Sequence, residues 1–560
     1  IYEFIEKSIN SHDPYTKEQL QKELNSSQEN LKYSNRGDGN YSYLNEEIER
    51  LKEKLKEFES FDITFNDVVD FRVAEKKKKS IAKNAVFNVT YKLLNILFPL
   101  LTSAYLSRIL GPVYLGKVSY AQNIMSYFLV IASLGIGTYG MREIAKAENN
   151  INNKNKIFSE LFLLNLISSA ICGILYTAAI SMVGRFHADI WLYLCTGLTL
   201  YMNIFNVDWF YTGQEEYAYI TIRSFIIKLF SIISIFLFVK DQSDYIIYAL
   251  ITSLATTSNY VLNVINLRKH VRFRFDALKI KRHINSILIL LATIFATDLY
   301  NQVDVTMLGI FRSEAEVGYY SNGIKLIRVI YSITIAISAS IIPRMSQYYK
   351  NGKLKEYKIL FWKTMDTVLI LAIPATVGLL LLSEQIVFTL FGSRFAPTVT
   401  VINTLSIMVV VITISYLTGS VVLTSTNNEK YLLVATVSGC LVNICLNALF
   451  IPKIGITGAA LASVIAESTV AVIHIRFGCQ YIKAKIPFKN ISTILVGSAA
   501  MVICVLILRS TIQIEPVNLI LCMATGSIIY FVIIFLMKNE IVMICVAKAE
   551  ETVRKNNLLI

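Results

Sequence analysis

Charge is what this sequence has least of. Asp, Glu, Lys and Arg together make up 17% of its 560 residues, where soluble domains carry about 25%. With 54% hydrophobic residues and a mean hydropathy of +0.51, it cannot give a hydrated surface to the roughly three to four soluble domains that length alone would suggest. Histidine is scarce, and His187, His270, His283 and His474 show no metal-ligand spacing. The 8 cysteines fall mostly in or beside apolar runs and form no CxxC pair, so neither a zinc module nor a disulfide framework is indicated. There is no GxxxxGK[ST] sequence, which argues against an ATP-hydrolysing motor within the chain. Long polar loops are missing after residue 80. That leaves little room for the outer catalytic domain of a membrane polymerase or glycosyltransferase, and no enzyme is expected.

What the chain has instead is a series of long apolar runs between residues 84 and 537. About 20 apolar residues make a helix long enough to cross the hydrocarbon core. By that ruler spans fall near 84–107, 118–141, 158–183, 189–212, 218–239, 244–267 and 284–311 in the first half. The second half gives 319–343, 363–383, 396–423, 431–451, 456–478, 489–509 and 515–537. The expected fold class is an all-α polytopic membrane protein with about fourteen transmembrane helices. Pro99 and Pro374 lie inside spans and are expected to kink them.

The formal charge of +14 sits mainly in short connections, so no nucleic-acid partner is implied. Basic residues crowd alternate loops: Arg142 to Lys156, Arg268 to Arg282, Arg344 to Lys363 and Arg476 to Lys489. The remaining loops carry mostly single charges, such as Arg185, Lys240 and Arg312. The positive-inside rule then predicts cytoplasmic N- and C-termini. Lys76–Lys79, directly before the first run, suits the same side and attracts anionic headgroups.

Residues 1–79 are polar, with no span and no signal peptide. Leu44, Ile48, Leu51, Leu55 and Phe58 recur at spacings of three and four, the pattern of a short amphipathic helix packing on a partner or on the segment itself. The chain begins at Ile1 and has no Met before Met125, so a fragment or fusion is expected.

A shift of about 202 residues superposes Leu106 on Leu308, Gly116 on Gly318, Ser119 on Ser321 and Arg142 on Arg344. Six spans separate the copies, so both keep one orientation. The expected organisation is two parallel six-helix lobes, 80–283 and 284–483, followed by two helices and a tail over 484–560. A cleft between such lobes suits alternating access.

The run YLSRILGPVYLGKVSYAQNIMSYF from Tyr105 and LGIGTYGMREIA ending at Ala145 resemble the start of Wzx-type polysaccharide flippases. NQVDVTMLGIF from Asn301, VGYYS from Val317, the pair Lys325 and Arg328, IPR at 342–344 and IPKIGITGAALASVIAE over 451–467 are similar to the same family. The resemblance covers roughly residues 80–540; residues 1–79 are not part of it. It implies a MATE-like pair of lobes in the bacterial inner membrane. It also implies translocation of an oligosaccharide carried on undecaprenyl diphosphate to the outer leaflet, for capsule or O-antigen synthesis. The partners implied are that lipid, membrane lipids and other assembly proteins such as a polymerase. The superfamily also holds multidrug exporters and lipid-linked peptidoglycan-precursor flippases.

An anionic headgroup calls for cations and hydrogen-bond donors in a wet cavity, and ionisable residues inside spans face the bundle interior. Asp298, Asn301, Gln302 and Val305 share one face of the seventh span. Lys325 and Arg328 stand one turn apart on the eighth, at the depth of Asp304. The expectation is a polar site with Lys325 or Arg328 on diphosphate oxygens, Asn301 and Gln302 beside them. The alternative is a structural ion pair with Asp304. Lys92, Asn95 and Lys228 are candidates to extend this lining. Arg142 and Arg344 are candidates for headgroup capture or a cytoplasmic gate, with plain topological anchoring as the alternative. Asp208 and Arg223 are expected to pair. Asp298, Asp304 and Glu467 are candidates for coupling to H+ or Na+, with no other cofactor expected. Of the rival functions, a drug exporter of the same fold suits an apolar or acidic cavity, which Lys325 and Arg328 argue against. An assembly scaffold rests only on the 44–58 helix.

Overall fold

The computed structural model describes residues 17–32, 44–52, 81–147, 151–268, 270–274, 278–482, 488–511, 515–544 and 546–547. The chain divides into two compact units, Ile1–Lys83 and Asn84–Ile560. In the first, Lys17–Lys32 and residues 44–52 are helical, and Leu24, Ile48 and Leu51 are buried together. The apolar stripe of the second helix is thus covered from within the same segment, by a helix whose own pattern did not announce it. Leu55, Phe58 and Lys76–Lys79 lie outside the described residues.

The second unit has helices and no strands among its described residues, with eleven segments long and apolar enough to cross a membrane. Two of the eleven are broken in the middle, at Gly111 and at Ile454–Gly455. The shorter apolar helix Ile190–Phe205 joins them, which makes fourteen. In order they are α1 (81–110), α2 (112–133, continued by Ile136–Lys146), α3 (Ile151–Met182), α4 (Ile190–Tyr201), α5 (Tyr217–Phe238), α6 (Tyr245–Leu267) and α7 (Lys281–Phe311). Then follow α8 (Glu314–Ser340), α9 (Leu354–Leu390), α10 (Thr398–Ser425), α11 (430–453), α12 (456–482), α13 (Phe488–Thr511) and α14 (Glu515–Leu536). The protein is a multi-pass membrane protein of two six-helix lobes and two further helices.

Local chemistry explains the breaks. Gly111 takes φ 69, open to glycine without a Cβ penalty, and Pro112 follows where a helix start needs no N–H. Two spans depart from simple expectation. The fourth stops at Tyr201, turns through Met202–Phe205 and resumes over Asp208–Gly213. Backbone carbonyls there are taken by side chains: Asn165 donates to Asn203 O at 2.7 Å, and the Trp209 indole to Asn206 O at 3.2 Å. Inside a bilayer such a break persists only when those groups find partners. The tenth contains a π-turn, Leu417–Val421, where Gly419 packs on the His474 ring and Gly478 on the Thr418 backbone. Helices continue through Pro99 and Pro374.

The connections α2–α3, α6–α7 and α8–α9 lie at one end of the bundle and carry most of the basic loop residues; this is the basic end. At the opposite end one apolar cluster joins the lobes, with Leu106, Leu110, Leu115 and Tyr120 against Leu308, Val317, Tyr320 and Ile324. Nearer the basic end the cores separate. One holds Tyr139, Phe158, Trp209 and Phe210 with Ile287. Another ties α9 and α10 to α13 and α14.

Candidate functional site

The lobes meet through α1 and α2 on one side and α7 and α8 on the other. Toward the opposite end they are bonded across. Ser103 donates to Asn322 Oδ1 at 3.0 Å, Asn322 to Ser107 at 3.3 Å, and Arg108 to Thr389 O at 2.6 Å. Arg185 reaches the Gly309 carbonyl and stands 3.2 Å from Glu314.

Helix α7 belongs to both lobes. Toward the basic end Glu160 of α3, fully buried, accepts from Lys279 N at 2.6 Å and from Arg282 Nη2 at 2.5 Å. It also lies 2.8 Å from His283 Nε2, whose Nδ1 meets the Tyr139 hydroxyl at 2.7 Å. In the middle, Asn123 of α2 donates to Gln302 O at 3.0 Å, and Thr306 to Asn123 Oδ1 at 2.6 Å. Asp298 accepts from Ser126 at 3.4 Å.

Between these helices is a polar cavity of about 190 Å³, lined by Ser119, Gln122, Asn123, Asn301, Gln302, Lys325 and Arg328 among others. Four of the residues singled out from the sequence, Asn301, Gln302, Lys325 and Arg328, therefore line one space. Arg328 donates to Asn301 O at 2.9 Å. No group of three or more His, Cys, Asp or Glu that could hold a metal ion occurs among the described residues.

Asp304 is turned away from it, into the second lobe. Its Oδ1 accepts from Asn443 at 3.0 Å and Asn447 at 2.6 Å, and its Oδ2 from Tyr320 at 2.6 Å and Ser463 at 2.7 Å. These four donors, rather than an ion pair with Lys325 or Arg328, hold the buried carboxylate. Asp304 and Glu467 line a second cavity of about 30 Å³ with Tyr300, Asn443, Ser463 and Arg328. That space holds about one water or a small cation. The Oδ1 of Asn447, whose amide donates to Asp304, is buried without a hydrogen-bond partner among the described residues. Asp298 does not line either cavity.

The other candidates stand apart. Arg142 and Arg344 are exposed on short helices at the basic end, each over a tyrosine ring, Tyr139 and Tyr348. Lys228 of α5 lies 5.6 Å from the Phe98 ring centre. Lys92 and Asn95 fall on α1, but their side chains are outside the described residues. Asp208 and Arg223 pair at 3.0 Å, and Asn263 bonds to both.

Sequence reasoning missed Gln122, Asn123, Tyr320, Asn443 and Asn447. The spacing of Asn443 and Asn447, one turn apart in an apolar span, was the available signal.

Behind α8 lies an apolar cavity of about 560 Å³ between α8, α9, α13 and α14, lined by Leu326, Ile330, Pro374, Leu379, Val505 and Phe531 among others. Leu326 and Ile330 alternate along α8 with Lys325 and Arg328, so one helix separates a polar cavity from an apolar one.

Comparison with known proteins places these features. Residues 81–349 match the family described as polysaccharide biosynthesis protein, and residues 311–536 match lipid II flippase MurJ. A putative O-antigen transporter of Escherichia coli is 24% identical over 63% of this chain and 86% of its own length. A probable low-salt glycan biosynthesis flippase of Haloferax volcanii is 25% identical over 36% of this chain, which spans only 43% of that relative. Among solved structures, a lipid II flippase MurJ in an inward closed conformation matches with TM-score 0.64 and 18% identity, over 80% of this chain and 98% of that one. An inward-facing multidrug resistance MATE family transporter of the MOP superfamily matches with TM-score 0.54 and 14% identity, over 71% and 98%. At such identities these likenesses speak for the fold.

Proposed function

We propose that this chain is a Wzx-type flippase of the MOP exporter superfamily and that it moves an oligosaccharide linked to undecaprenyl diphosphate. The movement runs from the inner to the outer leaflet of a bacterial plasma membrane, for surface polysaccharide of the capsule or O-antigen kind. The observation that carries this reading is the placement of Lys325 and Arg328 with Asn301 and Gln302 on one polar cavity between the lobes. A guanidinium offers paired donors to diphosphate oxygens, an ammonium a compact charge, and neighbouring amides suit hydroxyl-rich sugars. The apolar cavity behind α8 offers the polyprenyl chain a path that keeps it out of water.

In this reading the basic end is cytoplasmic, with both termini on that side, and the bonded opposite end closes the outer face. Arg142 and Arg344, exposed at the basic end, meet the headgroup on entry, and Lys228 and Lys92 extend the cationic surface of the first lobe. The protein is a transporter rather than an enzyme, and its other partners are the bilayer and the machinery that polymerises the delivered units. Coupling runs through the cavity of Asp304 and Glu467, whose size and oxygen lining suit a proton or Na+. Asp298, held by Ser126, is the remaining intramembrane candidate.

The test is complementation with the full chain in a bacterium that lacks its own O-antigen flippase. Restored surface polymer, lost on Arg328→Gln at equal membrane abundance, supports the proposal. Normal export by Arg328→Gln contradicts the role given to the cleft, and drug efflux in place of export favours the exporter reading.

A further inference from the structure

Arg328 faces two cavities at once. It lines the polar cleft between the lobes and also the small carboxylate cavity of Asp304 and Glu467. Asn301 and Ile324 are the other residues common to both. Although three carboxylates belong to the same region of the bundle, the guanidinium forms no ion pair with any of them among the described residues. It donates to the Asn301 carbonyl at 2.9 Å and is hydrogen-bonded to Tyr331. Asp304 is fully engaged by four neutral donors. Glu467 has no such set of four; its side-chain hydrogen-bond partner there is the Tyr300 hydroxyl. The polar groups that share its cavity are Tyr300, Asn301 and Asp304 from α7, Arg328 and Tyr331 from α8, Asn443 from α11 and Ser463 from α12, while α10 adds only Met408 and Ile412. Arg328 is thus the one cation lining that cavity, and it has donors to spare.

We propose that Arg328 is a shared positioning residue, drawn toward Glu467 and Asp304 while they are ionised and released to an anion in the cleft when a proton or monovalent cation neutralises them. The inference rests on the diphosphate reading above and adds a sign to its coupling. Occupation of the carboxylate cavity strengthens binding of the anion, and by reciprocity the anion strengthens binding of the cation. A guanidinium cannot give its full fork to two anions in two cavities, so neutralising one frees it for the other.

Farnesyl diphosphate, which carries the diphosphate on a short isoprenoid, is the probe, and calorimetric titration of the purified full chain is the measurement. Glu467→Gln removes the ionised state and is expected to bind the probe about tenfold more tightly than the natural chain, within the usual range of coupling between sites. In an Arg328→Gln background the same change is expected to bring no gain. Asp304→Asn serves as the second neutralising variant where Glu467→Gln folds poorly, with the same expectation. Binding by the natural chain with no gain in either variant, or a gain that persists without Arg328, overturns this inference and leaves the diphosphate reading standing. No binding of the probe by any folded form overturns the diphosphate reading and this inference with it.

Discussion

Gly116 and Gly318, 202 positions apart and equivalent in the internal repeat, pack against each other's helix starts. A Cβ on Gly116 would collide with the Glu314 carbonyl and lie 2.9 Å from Gly318 N, and one on Gly318 would collide with the Pro112 carbonyl. Pro112 and Glu314 are themselves 202 residues apart, so the contact repeats its own symmetry. The first turns of α2 and α8 thus cross at backbone distance, at the end where the lobes are bonded together.

That crossing predicts a conformational shift on adding bulk. Gly116→Leu or Gly318→Leu should disfavour closure by about 1–3 kcal/mol, as overpacking of a tight contact does. A cysteine at Gln122, on the cleft, should then react with an impermeant maleimide from outside the cell. Continued protection in both variants would show that closure does not depend on the crossing.

Orientation has its own test. A cysteine at Asp241, on the α5–α6 connection, should be labelled in intact cells, and one at Asn351, on the α8–α9 connection, only after permeabilisation. The reverse pattern would invert the topology that the basic loops imply.

Glu160 fixes the start of α7. Replacing it with Ala leaves Arg282 and His283 without their buried carboxylate acceptor, a change that typically costs about 3–5 kcal/mol. Trypsin cleavage between Arg268 and Arg282 should quicken, while the midpoint of global unfolding moves less than for a core variant. Unchanged cleavage would remove Glu160 from its anchoring role.

Asp304→Asn should destabilise the second lobe, because an amide cannot accept from all four donors that now meet the carboxylate. One unsatisfied buried donor costs about 1–3 kcal/mol, read as a lower thermal midpoint in detergent. Ser463→Ala, which removes one donor of the four, should cost less.

Much of this was legible beforehand. Fourteen spans can be counted because each apolar run ends at charges or glycines, and Lys325 and Arg328 stand out as cations in such a run. The break in the fourth span was not legible, since Asn203, Asn165 and Asn206 look like scattered polar residues until they meet. The separation of Asp298 from Asp304 follows from helix geometry alone. Six residues turn a helix through about 600°, leaving the two side chains roughly 120° apart. One therefore meets Ser126 and the other meets α11 and α12. Glu467 could be placed mid-span from sequence, but its sharing of a cavity with Asp304 and Arg328 depends on packing between helices far apart in the chain.

The most direct test reconstitutes the full chain in liposomes bearing a polyprenyl-diphosphate oligosaccharide in one leaflet and measures its arrival in the other. The account predicts transfer by the natural chain and, with about 1.5–3 kcal/mol lost with a charge-assisted bond, at least about tenfold slower transfer by Arg328→Gln. Equal transfer by both, or no transfer by the natural chain, would contradict it.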